Sequence, residues 1–280
     1  SIAAQYGAAS RAVLFYGSCL RTTELDGQML DFYLIVSSYE AAYGKSWLVG
    51  ANKRLPPNVF PAEHGGLVAK VAVLSEKDFH RLNRITASAV SVWARFAQPS
   101  RLVWQADDAA QAQAVDAIAG APITLFDMTF PMMGVDTEHT IADLWKRGFE
   151  LTYGAELRAE RKDRSASVVD SDPARYARFG PAVVSAIAER DKDRGKALKI
   201  IASRDAVEKR WRQLRRNGKL LTLARLAKAS ATYAGGIDYL AWKINRHAGT
   251  AYVIKPWQRK WPILGALVML PRLIVGGAIK

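Results

Sequence analysis

Apolar and β-branched residues crowd into three short runs near the start of the chain. Residues 11–17 (RAVLFYG), 29–36 (MLDFYLIV) and 67–74 (LVAKVAVL) each have the length and composition of a strand. Alternation along the second run places Asp31, Tyr33 and Ile35 on one face, and Leu30, Phe32 and Leu34 on the other. Pro56-Pro57 and Gly65-Gly66 punctuate the approach to the third run. Residues 75–96 then read as a helix, with Ser75 as N-cap and acids in the first turn. The pattern predicts an αβ head over residues 1–106.

From residue 107 the pattern is helical and Ala-rich, with breaks expected at Pro122 and Pro131. Residues 136–158 begin like a capped helix, and a helical second domain is expected over 107–200. Residues 201–230 keep a helical pattern in which nine Lys or Arg outweigh two acids. Residues 201–280 are expected to form a basic, membrane-associating region. Within it, 255–261 (KPWQRKW) mixes aromatics with cations, and the apolar stretches PILGALVML and LIVGGAI flank Pro271-Arg272. That apolar stretch is too broken for a spanning helix of about 20 residues. Trp257 and Trp261 among Lys255, Arg259 and Lys260 suit a lipid headgroup layer. A helix packed on the protein's own core or on a partner subunit is the competing reading, as a solvated helix face is for residues 201–230.

Composition narrows the partners. Half of the 280 residues are hydrophobic, enough for two modest domains with real cores. The net charge of +14 points to an anionic partner: nucleic acid, an acidic membrane surface or a phosphorylated substrate. Sign alone does not choose among them. A single cysteine, Cys19, rules out an intramolecular disulfide and a Cys-rich zinc site. The first residues lack the cationic start and apolar run of a signal peptide, and the expected location is cytoplasmic with peripheral membrane attachment.

The candidate chemistry lies between residues 13 and 36. The first run ends in Tyr16-Gly17-Ser18, and the second carries Asp31 near its start. Glycine lets backbone approach a triphosphate, exposed N–H groups at a helix start attract anions, and a serine hydroxyl adds a donor. Taken alone, a Gly-Ser turn is only a turn. Asp31 reads either as a strand-end acid in solvent or as a Mg²⁺ ligand shared with phosphates. Asp26 offers a second metal ligand, or is a turn residue beside Gly27. Lys70 on the third run suits phosphate neutralisation. Arg21, Asn52, Lys53 and Arg54 form a further polar group, with solvated surface as the plainer alternative. His64, His80, His139 and His247 lack metal-ligand spacing, and no HExxH, GxxxxGK[ST], CxxC or Ser-His-Asp order is present. Cys19 reads as a small packed residue more readily than as a reactive thiol.

A strand, a Gly-Ser turn and a carboxylate on the next strand resemble nucleotidyltransferases of the DNA polymerase β type. That signature carries two carboxylates at i and i+2, and here the second position is Tyr33. More closely, Tyr16-Gly17-Ser18-Cys19 and Met29-Leu30-Asp31-Phe32 resemble the opening motifs of the mitochondrial translocator assembly and maintenance protein family and its bacterial relatives. The likeness continues through Lys70 to Ser75, Ala94-Arg95 with Gln98-Pro99-Ser100-Arg101, and Thr152-Tyr153-Gly154-Ala155-Glu156-Leu157-Arg158. It departs at Cys19, where the family has glycine, and at Asn52 to Asn58, where the family's Asn-x-x-His-Tyr-Ser segment is only partly kept.

The resemblance implies a CTP:phosphatidate cytidylyltransferase that makes CDP-diacylglycerol, with a nucleotidyltransferase head and a winged-helix-like second domain. It implies that Tyr16, Gly17 and Ser18 hold phosphates, that Asp31 holds Mg²⁺, and that Lys70, Lys53 and Arg95 neutralise phosphates of either substrate. The expected partners are CTP, phosphatidate or another anionic lipid, and a membrane surface. A nucleotidyltransferase acting on RNA or another non-lipid acceptor is one alternative. A non-catalytic lipid- or partner-binding relative is another.

Overall fold

The computed structural model describes residues 1–22, 28–134, 138–156, 168–193, 204–232, 241, 245, 251–261, 264, 265 and 268. Its centre is a mixed five-stranded sheet of order β3-β4-β2-β1-β5. The strands are β1 (Ser10–Tyr16), β2 (Met29–Val36), β3 (Asn58–His64), β4 (Leu67–Ser75) and β5 (Ser100–Gln105). β1 and β2 pair antiparallel, β2 and β4 parallel, and β3 and β5 close the two edges antiparallel. The three predicted strands are the three inner ones. The two that the pattern missed are edges: β3 carries Pro61, which an edge tolerates because one side of it needs no ladder N–H, and most of β5 is exposed. Gly65 and Gly66, both at positive φ, make the tight turn from β3 into β4.

The helices are α1 (Cys19–Thr22), α2 (Tyr39–Tyr43), α3 (Trp47–Arg54), α4 (Glu76–Leu82), α5 (Trp93–Phe96), α6 (Asp108–Thr129), α7 (Ile141–Tyr153), α8 (Pro173–Asp193), α9 (Arg204–Thr232) and α10 (Pro256–Lys260). Three differ from expectation. The single helix over 75–96 is two short ones. Ser75 caps α4 as expected, its hydroxyl accepting from the Asp78 N–H at 3.2 Å, but α4 stops at Asn83. There the Asn83 side chain donates back to the Phe79 carbonyl, and the Ser- and β-branched-rich segment that follows buries Ala87, Val90 and Val92 in turns rather than in a continuous helix. Pro122 does not break the Ala-rich helix: α6 runs through it, because Ala114, Ala117, Ala121, Leu125 and Phe126 all reach the core. The helix expected over 136–158 spans Ile141–Tyr153 and starts from a Thr140/Asp143 capping box.

One large core covers one face of the sheet. Ala12, Leu14, Tyr16, Tyr33, Ile35, Ala72 and Leu74 meet side chains from α4 through α9, as far along the chain as Leu214. Arg11 pins the start of β1 to both α4 and α6, donating to Glu76 at 3.0 Å and to Asp107 at 2.8 Å. A smaller cluster of Val13, Leu34, Val36, Tyr39, Val71 and Val73 fills the opposite face.

The basic run is a helix with two different faces. Val207, Trp211 and Leu214 of α9 join the main core, and the Trp211 indole N–H donates to the Met128 carbonyl at 2.8 Å. Lys209, Arg212, Arg215, Arg216 and Lys219 face solvent. After Gln105 the described residues form helices and turns only. Trp257 and Trp261 are exposed beside Lys255, Arg259 and Lys260, while Gln258 is buried against Tyr252. The apolar stretch 273–279 lies outside the described residues. Among them, no helix is long and apolar enough to cross a membrane.

Candidate functional site

Strand register builds the site. Ser100, Tyr16, Asp31 and Lys70 lie side by side on β5, β1, β2 and β4. Directly opposed residues share a face, so Tyr16, Asp31 and Lys70 project to the side that the helices cover. Lys70 Nζ stands 3.4 Å from Asp31 Oδ1, with each side chain about a quarter to a third exposed. The other carboxylate oxygen faces Gly17. A Cβ at residue 17 would stand 2.9 Å from Asp31 Oδ2, and Gly17 sits at φ +95°, where only glycine is at ease. The turn therefore closes onto the carboxylate of the neighbouring strand.

Gly17→Ala tests that closure. The left-handed backbone and the contact with Asp31 together are expected to destabilise the fold by about 1–3 kcal/mol and to displace the carboxylate. Denaturant unfolding reads the first effect and ligand binding the second. Wild-type behaviour in both would mean that the turn places nothing.

Behind the carboxylate lies an aromatic layer. The Tyr16 and Tyr33 rings meet at a tilt, 5.1 Å between centroids, and Phe96 meets Tyr33 at the same distance. The Arg95 guanidinium lies 5.0 Å over the Tyr16 ring. Burial, and to a lesser degree Asp31, pushes both phenols above their ordinary range, although Arg95 opposes the rise. They remain protonated at neutral pH. Burial works against the charge of Arg95, while the Tyr16 ring beneath it and the carboxylates of Glu156 and Asp31 favour that charge.

The sequence reading missed two cations that α9 contributes here. Arg225 Nε donates to the Pro56 carbonyl at 2.8 Å and its Nη1 to Ser91 Oγ at 2.9 Å. Lys228 is buried, its ammonium donating to the carbonyls of Leu55 and Pro57. Their spacing held the signal, because they lie seven and ten residues past Gly218, on the stripe that Val207, Trp211, Leu214 and Gly218 mark by steps of three and four. Cations on the buried stripe of a helix are the exception that marks a site. Glu156, at the end of the segment after α7, acts on Arg95, Arg225 and Tyr33.

Burial first, and Arg225 second, lower the Lys228 ammonium to about 7. The unfolded chain then holds a proton on this residue between about pH 7 and the ordinary lysine value of about 10.4, and the folded chain does not. Stability should rise with pH across that window, by up to about 1.4 kcal/mol per pH unit from this group. Lys228→Met should flatten the slope, as read from denaturant midpoints at pH 7, 8 and 9. An unchanged slope would show that Lys228 is solvated in the fold.

The other sequence candidates fall as follows. Ser18 is exposed and opens α1. Lys53 lies on the last turn of α3, where its ammonium pairs with exposed Glu40 and with no member of the cluster. Asp26 lies outside the described residues, as does the Arg21 side chain. Cys19 is a small packed residue against Leu30 and Ala69. Among the described residues, no three His, Cys, Asp or Glu gather as a metal site. Asp31 by itself matches the mode in which Mg²⁺ takes one or two carboxylates and draws its remaining ligands from phosphate and water.

No family model matches the chain, and no curated protein matches it. Among solved structures it is similar to a nucleotidyltransferase-like protein from Exiguobacterium sibiricum, at 11% identity and a TM-score of 0.27. The alignment covers 98% of this chain and 88% of that one. A score of that size carries no argument about fold or function.

Proposed function

We propose that this chain is a nucleotidyltransferase that moves a nucleotidyl group, CTP being the expected donor, onto the phosphate of a lipid acceptor such as phosphatidate. The observation that carries the reading is the clasp of Gly17 on Asp31, in register with Lys70 and roofed by Arg95. It sets one carboxylate among cations at the end of a glycine turn. An acceptor phosphate oxygen would attack the α-phosphorus, forming a new P–O bond. The bond to the β-phosphate breaks, and pyrophosphate leaves with the electron pair. A phosphate monoester is mostly dianionic above about pH 7, since its second pKa is about 6, so the attacking oxygen has no proton to give up. A general base is then unnecessary, and with Tyr33 at the i+2 position Asp31 is the one carboxylate that β2 offers to Mg²⁺.

Gly17 and Ser18 would face the β- and γ-phosphates, and Lys70 would offset charge on the leaving group. Asp31 would hold Mg²⁺, which when bound neutralises the triphosphate. The exposed Trp257 and Trp261 beside Lys255, Arg259 and Lys260 support attachment to an anionic membrane surface, where the acceptor resides.

The test incubates the full chain with each of four NTPs, Mg²⁺ and phosphatidate vesicles, and measures pyrophosphate and lipid-linked nucleotide. CTP-dependent CDP-diacylglycerol is the expected product. Pyrophosphate released only when RNA is supplied would favour a second reading, which the solvent-facing cations of α9 support. Failure to bind any Mg²⁺-nucleotide would leave a non-catalytic lipid-binding protein.

A further inference from the structure

We propose that Arg225 and Lys228 of α9, with Arg95 of α5, form the subsite for the phosphate monoester that accepts the nucleotidyl group. The proposal rests on the nucleotidyltransferase reading above, and assigns its acceptor-binding side to a helix that none of the sequence motifs includes.

Placement is the first argument. Arg95 Nε donates to the Ser91 carbonyl at 3.4 Å and Arg225 Nη1 to the Ser91 hydroxyl at 2.9 Å. Two guanidiniums, one from α5 and one from α9, are thus anchored on one residue. Arg95 also covers Tyr16, the direct strand neighbour of Asp31. Arg225 acts on Tyr33, which shares the face of Asp31, so the pair lies on the carboxylate's side of the sheet.

Charge is the second argument. Arg225 and Lys228 are held by neutral acceptors, namely the carbonyls of residues 55 to 57 and the Ser91 hydroxyl. Such partners orient a cation without neutralising it. Arg225 Nη2 donates to no described residue. The carboxylates acting on the cluster are Asp31 and Glu156, and Asp31 already stands against Lys70. Among the described residues Lys70, Arg95 and Arg225 face these two acids, Lys228 adds a further cation beside Arg225, and burial makes the excess of positive charge costly until an anion arrives. The lowered Lys228 ammonium expresses the same shortage.

Shape is the third argument. Arg225 keeps Nη2 for a phosphate oxygen while Nε and Nη1 hold it in place, and with Arg95 and the Lys228 ammonium it gathers donors and positive charge that suit a dianion better than a carboxylate or a single phosphodiester charge. The chemistry is that of a phosphate monoester, whether a lipid headgroup or a soluble ester.

Calorimetry on the full chain with inorganic phosphate tests the subsite. Arg225→Gln should weaken binding at least about tenfold, equivalent to about 1.4 kcal/mol. Arg225→Lys should recover part of it, and Arg216→Gln, on the exposed face, should change nothing. Turnover with CTP should show the acceptor KM raised in Arg225→Gln with the CTP KM unmoved. Vesicular phosphatidate and glycerol 3-phosphate run in parallel identify which ester is used. Wild-type affinity in Arg225→Gln, or an equal loss in Arg216→Gln, would overturn the proposal.

If Arg225→Gln does not fold, the wild-type chain still decides. Sulfate, a dianion that does not titrate, should bind at pH 8 with uptake of part of a proton by Lys228, seen across buffers of different ionisation enthalpy. Sulfate that does not bind, or binds without proton uptake, would overturn the proposal. The two readings fail separately. Arg225-dependent phosphate binding without pyrophosphate release from any NTP would leave the subsite and remove the transferase. Transfer with an unmoved acceptor KM would do the reverse.

Discussion

Asp31→Asn should abolish nucleotidyl transfer while leaving the fold in place. The substitution keeps the shape beside Gly17, so the turn need not move, and removes only the charge. Asp31 is the carboxylate that the Gly17 turn closes on, and its strand neighbours Tyr16 and Lys70 share its face. Loss of one preorganised charged group at a phosphoryl-transfer site costs about 100- to 1,000-fold in rate. The structural effect should be small, because the pair with Lys70 is partly exposed and such pairs contribute at most about 1 kcal/mol. Pyrophosphate release and far-UV dichroism, measured on the same preparation, separate the two effects. Near-wild-type turnover in this variant would remove the proposed role of the whole row.

Trp211→Ala should be the most destabilising single truncation on α9. The indole is fully buried, meets Trp93 edge-on at 6.1 Å, and donates to the Met128 carbonyl at 2.8 Å. Truncating a buried tryptophan costs about 3–5 kcal/mol, through lost transfer energy and the cavity left behind. Trp211→Phe should cost less, about 1–3 kcal/mol, mainly because the Met128 carbonyl loses its donor. Denaturant midpoints measure both. Since α9 also carries Arg225 and Lys228, phosphate affinity should fall in Trp211→Ala even under conditions where the chain stays folded. A change below about 1 kcal/mol would mean that the basic helix is not docked in solution.

The head was largely legible because its signals are local. Strand composition located β1, β2 and β4, and alternation placed Asp31 with Tyr33 and Ile35 on the face now seen against the helices. Ser75 was readable as a cap because its hydroxyl satisfies an N–H three residues away. The edges β3 and β5 were missed because a half-exposed edge strand needs no apolar run, and its pairing is made by backbone groups that carry no sequence mark. Pro122 misled for a related reason. A proline penalises a helix locally, but the buried small residues on either side of it in α6 outweigh that penalty through contacts distant in sequence.

By itself, then, the sequence determined the inner strands, the glycine turn, the carboxylate face and the cationic balance, since each depends on residues within a few positions of one another. Tertiary structure decided which cations gather on the side of the sheet that carries that carboxylate. Lys53, close in sequence to the expected cleft, turns to Glu40, whereas Arg225 and Lys228 arrive from the far end of a helix. Docking of the Val207, Trp211 and Leu214 stripe carries them there, and a contact made by burying an apolar face is fixed only when both faces have formed.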